Sequence, residues 1–284
     1  MSEDRIFRTA PEEKYYDNKS RASIFFRVLI QKFWKLIEFN LIYLVISIPA
    51  IIVSCFIGIY ITNSLLPAVE ADFFAFLFVY GFPPMVLLMA IPVIAFGPAQ
   101  AGMAYILRCF SYERPTFYWS DFKDKMKENF KQSLVVSLIN LAAFIFLLFD
   151  FYLYGQISQN TDNLLFYVAN IFLFMILILF IMMAMYIYPM MVSYELKTKY
   201  LYKNAFLFSI GRFLPNLVVL FICFLLILAP VLIVVYVGNA MVLAIIYLYY
   251  MVLGFSLPGL VSSFFINPVI DKYLKPAPAQ ANSE

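Results

Sequence analysis

The residues best equipped for specific chemistry lie between Arg108 and Gln132, in RCFSYERPTFYWSDFKDKMKENFKQ. Ser120 can cap a helix from about Asp121 to Gln132. Along it Trp119, Phe122, Met126 and Phe130 recur at spacings of three and four, and Lys123, Asp124, Lys127, Glu128 and Lys131 fill the remainder. Asp121 and Lys125 stand four apart, with the acid near the helix start as the dipole favours. Such a helix supports two kinds of chemistry. As an anchor on lipid headgroups it needs its apolar stripe and its cations and is indifferent to its acids. As a docking surface for a cytoplasmic or membrane partner it would be read through Trp119, Asp121, Phe122, Asp124, Lys127, Asn129 and Lys131. Both remain open on the sequence.

Bond-making chemistry finds little support. The chain has no histidine, which removes histidine acid–base catalysis, histidine-based triads and histidine metal ligation. Cys55, Cys109 and Cys223 stand singly on apolar or interfacial stretches, without metal-site spacing, and read as small core residues. The nine glycines are scattered and form no phosphate-binding loop. No catalytic residue, metal or cofactor is expected, the protein is not expected to be an enzyme, and no nucleic-acid partner is expected.

The elements that hold this stretch are set by composition. Charged residues make up 13% of the chain, where a soluble domain carries about 25%. That much apolar surface needs a bilayer. Six runs reach the length of about 20 residues that crosses a hydrocarbon core. The expected fold is all-α, a polytopic membrane protein of six transmembrane helices joined by cytoplasmic amphipathic connectors. The spans fall at about 41–61, 85–107, 133–153, 164–188, 213–235 and 240–264. The run from Phe73 to Arg108 is 36 residues, about 54 Å as one helix, so Pro83-Pro84 is taken as a break. Residues 73–82 then form an interfacial or re-entrant piece, and span 2 kinks near Pro92 and Pro98. Pro189 is expected to close span 4, and Gly254 with Pro258-Gly259 to bend span 6.

Residues 1–21 and 276–284 are polar or proline-rich and are expected to be disordered tails flanking a single transmembrane domain over 22–275. Residues 22–39 set Arg27, Gln31, Lys35 and Glu38 opposite Phe25, Leu29, Phe33 and Leu36. This amphipathic helix either lies among headgroups, anchored by Trp34, or extends span 1 inward.

Span 2 is nearly bare on one side. Gly97 and Ala101, and Pro98 and Gly102, sit four apart, and small residues at that spacing allow close helix approach or, alternatively, open a passage. Gln100 and Asn140 are amides within apolar helices, to be met by interhelical partners or to line a polar pocket. A short echo relates Phe130-Lys-Gln-Ser-Leu-Val-Val to Phe213-Leu-Pro-Asn-Leu-Val-Val at an offset of 83.

Lysine and arginine fix the orientation. All 20 fall before span 1, between spans 2 and 3, between spans 4 and 5, or after span 6. The positive-inside rule therefore puts both termini and both long connectors in the cytoplasm, with the lipid bilayer as the first partner.

Asn40-Leu41 to Ser47-Ile48-Pro49, Gly97-Pro98-Ala99-x-Ala101-Gly102, Arg108, Trp119-Ser120-Asp121-Phe122 and Lys127-x-Asn129-Phe130-Lys131-Gln132 together resemble the YesL family of bacterial integral membrane proteins. The resemblance covers roughly residues 25–220; short members pass almost directly from the first-span proline to the glycine-proline block, where this chain inserts residues 50–90. The family lacks an established activity. The resemblance implies a multi-pass protein of the bacterial cell membrane, encoded near carbohydrate uptake systems of the ABC type, and an accessory or regulatory role toward such a permease or its ATPase.

Other classes fit less well. An ABC permease should carry an EAA-type coupling loop, and Asn204-Ala205 to Gly211 and Leu214-Pro215 have the wrong spacing. A secondary transporter moving a small solute usually places charge at mid-depth, whereas Asp150 lies about 26 Å up span 3, at the outer interface. A reporter at the C-terminus or within 110–118 should be cytoplasmic, and one within 155–162 external. Labelling of a cysteine placed at residue 114 by an impermeant reagent added outside would overturn this orientation.

Overall fold

A computed structural model describes residues 20–46, 48, 97–161, 164–237 and 239–274, which form helices and the turns between them. The expected N-terminal tail, most of spans 1 and 2, the Pro83-Pro84 break and the C-terminal tail lie outside the described residues.

Helix α1, Arg21–Gln31, starts at Ser20, whose hydroxyl accepts a bond from the Ser23 amide at 3.3 Å. Lys32 interrupts the helix for one residue, and α2 continues over 33–46. The bonds from Lys32 N to Val28 O and from Leu36 N to Lys32 O carry the ladder across the interruption. The two readings of residues 22–39 thus each describe a part: α1 is amphipathic, and α2 runs on into the residues assigned to span 1. The deepest face also differs from the expected one, because Ile24, Val28, Leu36 and Phe39 are buried, with Phe25 and Leu29 partly covered.

The helices that follow are α3 (Gly97–Ser111), α4 (Tyr118–Glu128), α5 (Phe130–Thr161), α6 (Leu164–Ser193), α7 (Thr198–Gly211), α8 (Phe213–Val237), α9 (Ala240–Val252) and α10 (Ser256–Leu274). Helix α3 is the hub, packing on α1, α4, α5, α6 and α10. One core cluster joins α1, α2, α3, α4 and α10 through Ile24, Phe39, Phe110, Phe122 and Leu260. A second joins α6, α7 and α10 through Tyr186, Met190, Leu201, Ala205 and Ile270.

Among the described residues, three helices are long and apolar enough to cross a membrane, within Phe130–Leu147, Leu164–Ser193 and Phe213–Pro230. A fourth crossing is available if α9 and α10, which meet at 48°, count as one broken span. Pro189 does not close α6, which runs to Ser193. Burial of Met190, Met191 and Val192 holds the last turn, and the Tyr194 amide bonds back to Met190 O at 2.9 Å. The helix at the last expected span likewise continues past residue 264, to Leu274.

The break between α9 and α10 is held by one side chain. Asn40, fully buried on α2, donates through Nδ2 to the carbonyls of Tyr250 and Met251, each at 2.8 Å. Its Oδ1 accepts from the amides of Phe255 and Ser256 at 2.8 and 3.0 Å. One carboxamide therefore serves the end of one helix and the start of the next, where orphan backbone groups are unavoidable. Gly254 lies inside the break as expected, and a Cβ there would come within 2.6 to 2.7 Å of Tyr250 atoms. Gly259 marks a contact instead of a bend, its missing Cβ leaving room for Leu107 Cδ1.

Prolines inside helices free carbonyls four residues back, and side chains from other helices answer two of them. Pro230 frees Leu226 O, which accepts from the Tyr249 hydroxyl at 2.9 Å. Pro268 frees Phe264 O, which Arg21 Nη1 reaches at 3.4 Å.

The bare side of α3 makes two close contacts of different kinds. At Gly97 a Cβ would stand 2.0 Å from Ser133 O, part of the α5 backbone. At Gly102 it would meet the Phe122 ring of α4 at 2.8 Å and the Phe122 carbonyl at 2.9 Å. The overlap at Gly97 is deeper and falls on backbone alone, whereas at Gly102 it is shallower and shared between backbone and a ring that can tilt. Gly97→Ala should therefore destabilise the protein by about 3 kcal/mol or more and Gly102→Ala by about 1 to 2 kcal/mol, read as thermal unfolding in detergent. Equal losses, or a tolerated Gly97→Ala, would refute the crossing.

Candidate functional site

Residues 109–131 are placed by α3 and by the turn that ends it. Glu113 takes a left-handed conformation, φ 53°, while its amide bonds to Phe110 O and the Arg114 amide to Cys109 O. This is the helix-ending pattern in which glycine is usual at the left-handed position. Glutamate stands there because its carboxylate is used, accepting from Arg27 Nη2 of α1 at 2.6 Å.

Helix α4 begins at Tyr118, three residues earlier than the sequence suggests, and Ser120 is not its cap. Phe117 takes the cap position, and Asp121 in the first turn reaches back to it, its Oδ2 accepting from the Phe117 amide at 3.0 Å, while Ser120 Oγ donates to Asp124 at 3.3 Å. The helix ends at Glu128, and Asn129, whose Nδ2 donates to Lys125 O, separates it from α5, which takes Phe130. Lys125 pairs with Glu128 at 2.7 Å instead of with Asp121.

Half of the apolar stripe is used inside the protein, since Phe122 and Met126 are covered while Trp119 and Phe130 stay exposed. Phe122 is buried against Phe39 and Gly102, and Met126 packs on the same cluster. Trp119 lies half-exposed, stacked on Phe122, with the Lys123 ammonium 5.4 Å from its ring centroid. Of the expected docking residues, Asp124, Lys127 and Lys131 are exposed, Asp121 and Asn129 serve the two helix ends, and Phe122 belongs to the core. Gly97, Pro98, Ala101 and Gly102 are all buried. Gln100 meets Tyr43 at 3.3 Å, and Asn140 accepts from Tyr202 at 2.7 Å.

Beside this helix lies a polar cluster that sequence reading missed. Asp271 of α10 accepts on Oδ1 from Arg108 Nη2 and from the Tyr194 hydroxyl, both at 2.7 Å, and on Oδ2 from the Tyr112 hydroxyl. Arg108 Nη1 also reaches Asn267 Oδ1 at 3.3 Å, and Asn267 Nδ2 donates to Ser111 Oγ at 3.2 Å. Burial, and then the bond to Asp271, push the Tyr112 phenol well above its usual pKa. It stays protonated and donating across the physiological range. Arg21, Arg108 and Arg114 each stand within 5.3 to 5.4 Å of the Tyr112 ring centroid. The only signal available beforehand was a lone aspartate after the last apolar run and a lone arginine at the end of span 2. Their separation of 163 residues leaves no pattern to read. No group of three or more histidine, cysteine, aspartate or glutamate side chains gathers around a metal position among the described residues.

The class these observations define is a protein whose described residues are all-helical and hold three or four candidate membrane spans, compatible with a multi-pass membrane protein. Residues 40–151 match the model of a family described as "Protein of unknown function, DUF624". No curated protein and no solved structure matches the chain.

The Arg108 side chain is 11% exposed and that of Asp271 21%. Removing one partner of such a pair leaves a largely buried charge, at a cost of about 3 kcal/mol. Asp271→Asn should lower thermal stability by that order, and Tyr194→Phe, which deletes one hydrogen bond, by about 1 kcal/mol. Equal effects from the two substitutions would show that the ion pair is not the dominant contact.

Proposed function

We propose that the protein is a non-enzymatic membrane protein of six spans with both termini in the cytoplasm, acting as an accessory or regulatory partner of a carbohydrate uptake system of the ABC type. The segments at 41–61 and 85–107 complete the six, and the alternation of cations sets the orientation. The YesL resemblance, compatible with the matched family of unknown function, supplies the class of partner.

The observation that carries the docking role is the placement of α4. Phe122 and Met126 of its apolar stripe are seated in the core beside α3, so this helix is held in place by the protein itself. What it turns outward is a face of both signs, with Asp124, Lys127 and Glu128 exposed beside Trp119, and Lys131 continues it at the start of α5. A lipid surface would favour cations alone, whereas mixed charge on a fixed helix suits a protein surface of complementary pattern. Helix α7 is the second connector on the same side in this orientation and completes the proposed interface.

A second reading, a protein that itself moves a small solute, draws support from the broken pair α9 and α10, since interrupted helices build sites in transporters. Asn40 already occupies the backbone groups at that break, so the docking reading is preferred.

The test uses exposed residues only, because Asp121 holds the Phe117 amide at the start of α4. Reversing Asp124→Lys together with Lys127→Glu should leave thermal stability within about 0.5 kcal/mol of the parent, as for most surface changes. It should nevertheless remove the permease and ATPase captured when the tagged protein is pulled from native membranes. An unchanged set of captured proteins would end the docking proposal for α4.

A further inference from the structure

Helix α1 differs from α4 in what it leaves uncovered. Passing around α1, Ile24 and Val28 face the core, and Phe25 and Leu29 are partly covered by it. Phe26 and Ile30 then point away, 61% and 77% exposed, and Trp34 continues the same spacing of four onto α2 at 79%. Beside this stripe run Arg27, Gln31 and Lys35. A helix in water does not keep three large apolar side chains on the face opposite its own core. A helix wholly in hydrocarbon does not keep a polar stripe next to them. Both together suit the plane where acyl chains meet headgroups.

The cations at this seam are fixed to the body of the protein. Arg27 pairs with Glu113 at 2.6 Å, and Lys35 with Glu38 at 2.6 Å. Lys32 donates to the Tyr118 hydroxyl at 2.7 Å, and the ammonium groups of Lys32 and Lys35 stand 5.4 and 5.2 Å from the Tyr118 ring centroid. Arg21, Arg27, Lys32 and Lys35 thus meet two acids, Glu38 and Glu113, and the seam carries two positive charges in excess.

We propose that the outer face of α1 and the first turn of α2 bind the headgroups of anionic phospholipids in the cytoplasmic leaflet. Phe26, Ile30 and Trp34 enter the acyl boundary, and Lys32 and Lys35 meet the headgroup phosphates. Trp34 serves as the interfacial anchor, indole being suited to that depth. The leaflet assignment rests on the proposed orientation. The contact itself rests on the exposed stripe and the charge beside it.

The chain has two tryptophans, so the contact can be read directly. Trp119→Phe keeps the ring that stacks on Phe122 and leaves Trp34 as the sole indole. The variant is reconstituted in bilayers containing phosphatidylglycerol or phosphatidylcholine brominated high on the acyl chain, at equal mole fraction. Both lipids should quench Trp34, and the anionic one should show an association about five-fold stronger for each uncompensated cation engaged. Lys32→Gln with Lys35→Gln, or high salt, should bring the two lipids level. Mass spectrometry of lipid retained by the unmodified protein provides a second reading, in which anionic lipid should be enriched over the host membrane. Absence of quenching would show that the stripe does not face lipid, and equal quenching by both headgroups in the parent would remove the anionic preference. A residue-114 label taken up from outside would overturn the orientation and the leaflet, while the headgroup preference would still be decided by Trp34.

Discussion

The fold depends on how closely α3 lets other backbones approach. A helix that packs on five others must present few side chains toward at least some of them, and α3 does so through Gly97, Ala99, Ala101 and Gly102. The contact at Gly97 brings α3 against the Ser133 carbonyl, which fixes where α5 begins relative to α3. At Gly102 the same economy receives a ring, so a connector helix is seated by the residue type that membrane helices use to pack on each other. Small residues here position the polar helix α4 as well as the apolar helix α5.

Backbone groups that regular helices would satisfy internally are answered by side chains elsewhere. Asn40 closes the break between α9 and α10, Tyr249 answers the carbonyl freed by Pro230, and Arg21 answers the one freed by Pro268. In hydrocarbon each such group would cost several kcal/mol if left alone. The irregular points of the chain are therefore also where distant segments are joined, α2 to α9 and α10, α8 to α9, and α1 to α10. Irregularity and tertiary contact arise from one cause.

Long apolar runs were legible, because length and hydropathy alone make Phe130–Leu147, Leu164–Ser193 and Phe213–Pro230 fit to cross a membrane. Close approach at Gly97 and Gly102 was legible from spacing, although the partner of Gly102 was not. An apolar stripe on α4 reads the same whether it faces lipid or the protein's own α3, and only the placement of Phe122 separates the two. Proline was over-read: at Pro189 one lost hydrogen bond is outweighed by the burial of the turn that follows. Asp271 was missed because a pair 163 residues apart has no periodicity, and Asn40 because its four partners are backbone groups that carry no sequence signal.

The echo between residues 130 and 213 has a geometric counterpart. Helix α3 is followed by α4, a one-residue interruption at Asn129 and then α5; α6 is followed by α7, an interruption at Arg212 and then α8. Across the first interruption Asn129 N bonds to Lys125 O and Ser133 N to Asn129 O, and across the second Arg212 N bonds to Phe208 O and Asn216 N to Arg212 O. Ser133 and Asn216, four residues past their interruptions, are both buried polar residues that meet the preceding long helix. Ser133 does so by backbone contact at Gly97, and Asn216 by accepting from Tyr186 at 2.6 Å. The same joint is thus made twice with different chemistry, once by removing a side chain and once by adding a hydrogen bond. What the two joints share is the one-residue interruption with the backbone ladder carried across it and the Phe and Leu-Val-Val around it, while the contact to the preceding helix is made differently each time.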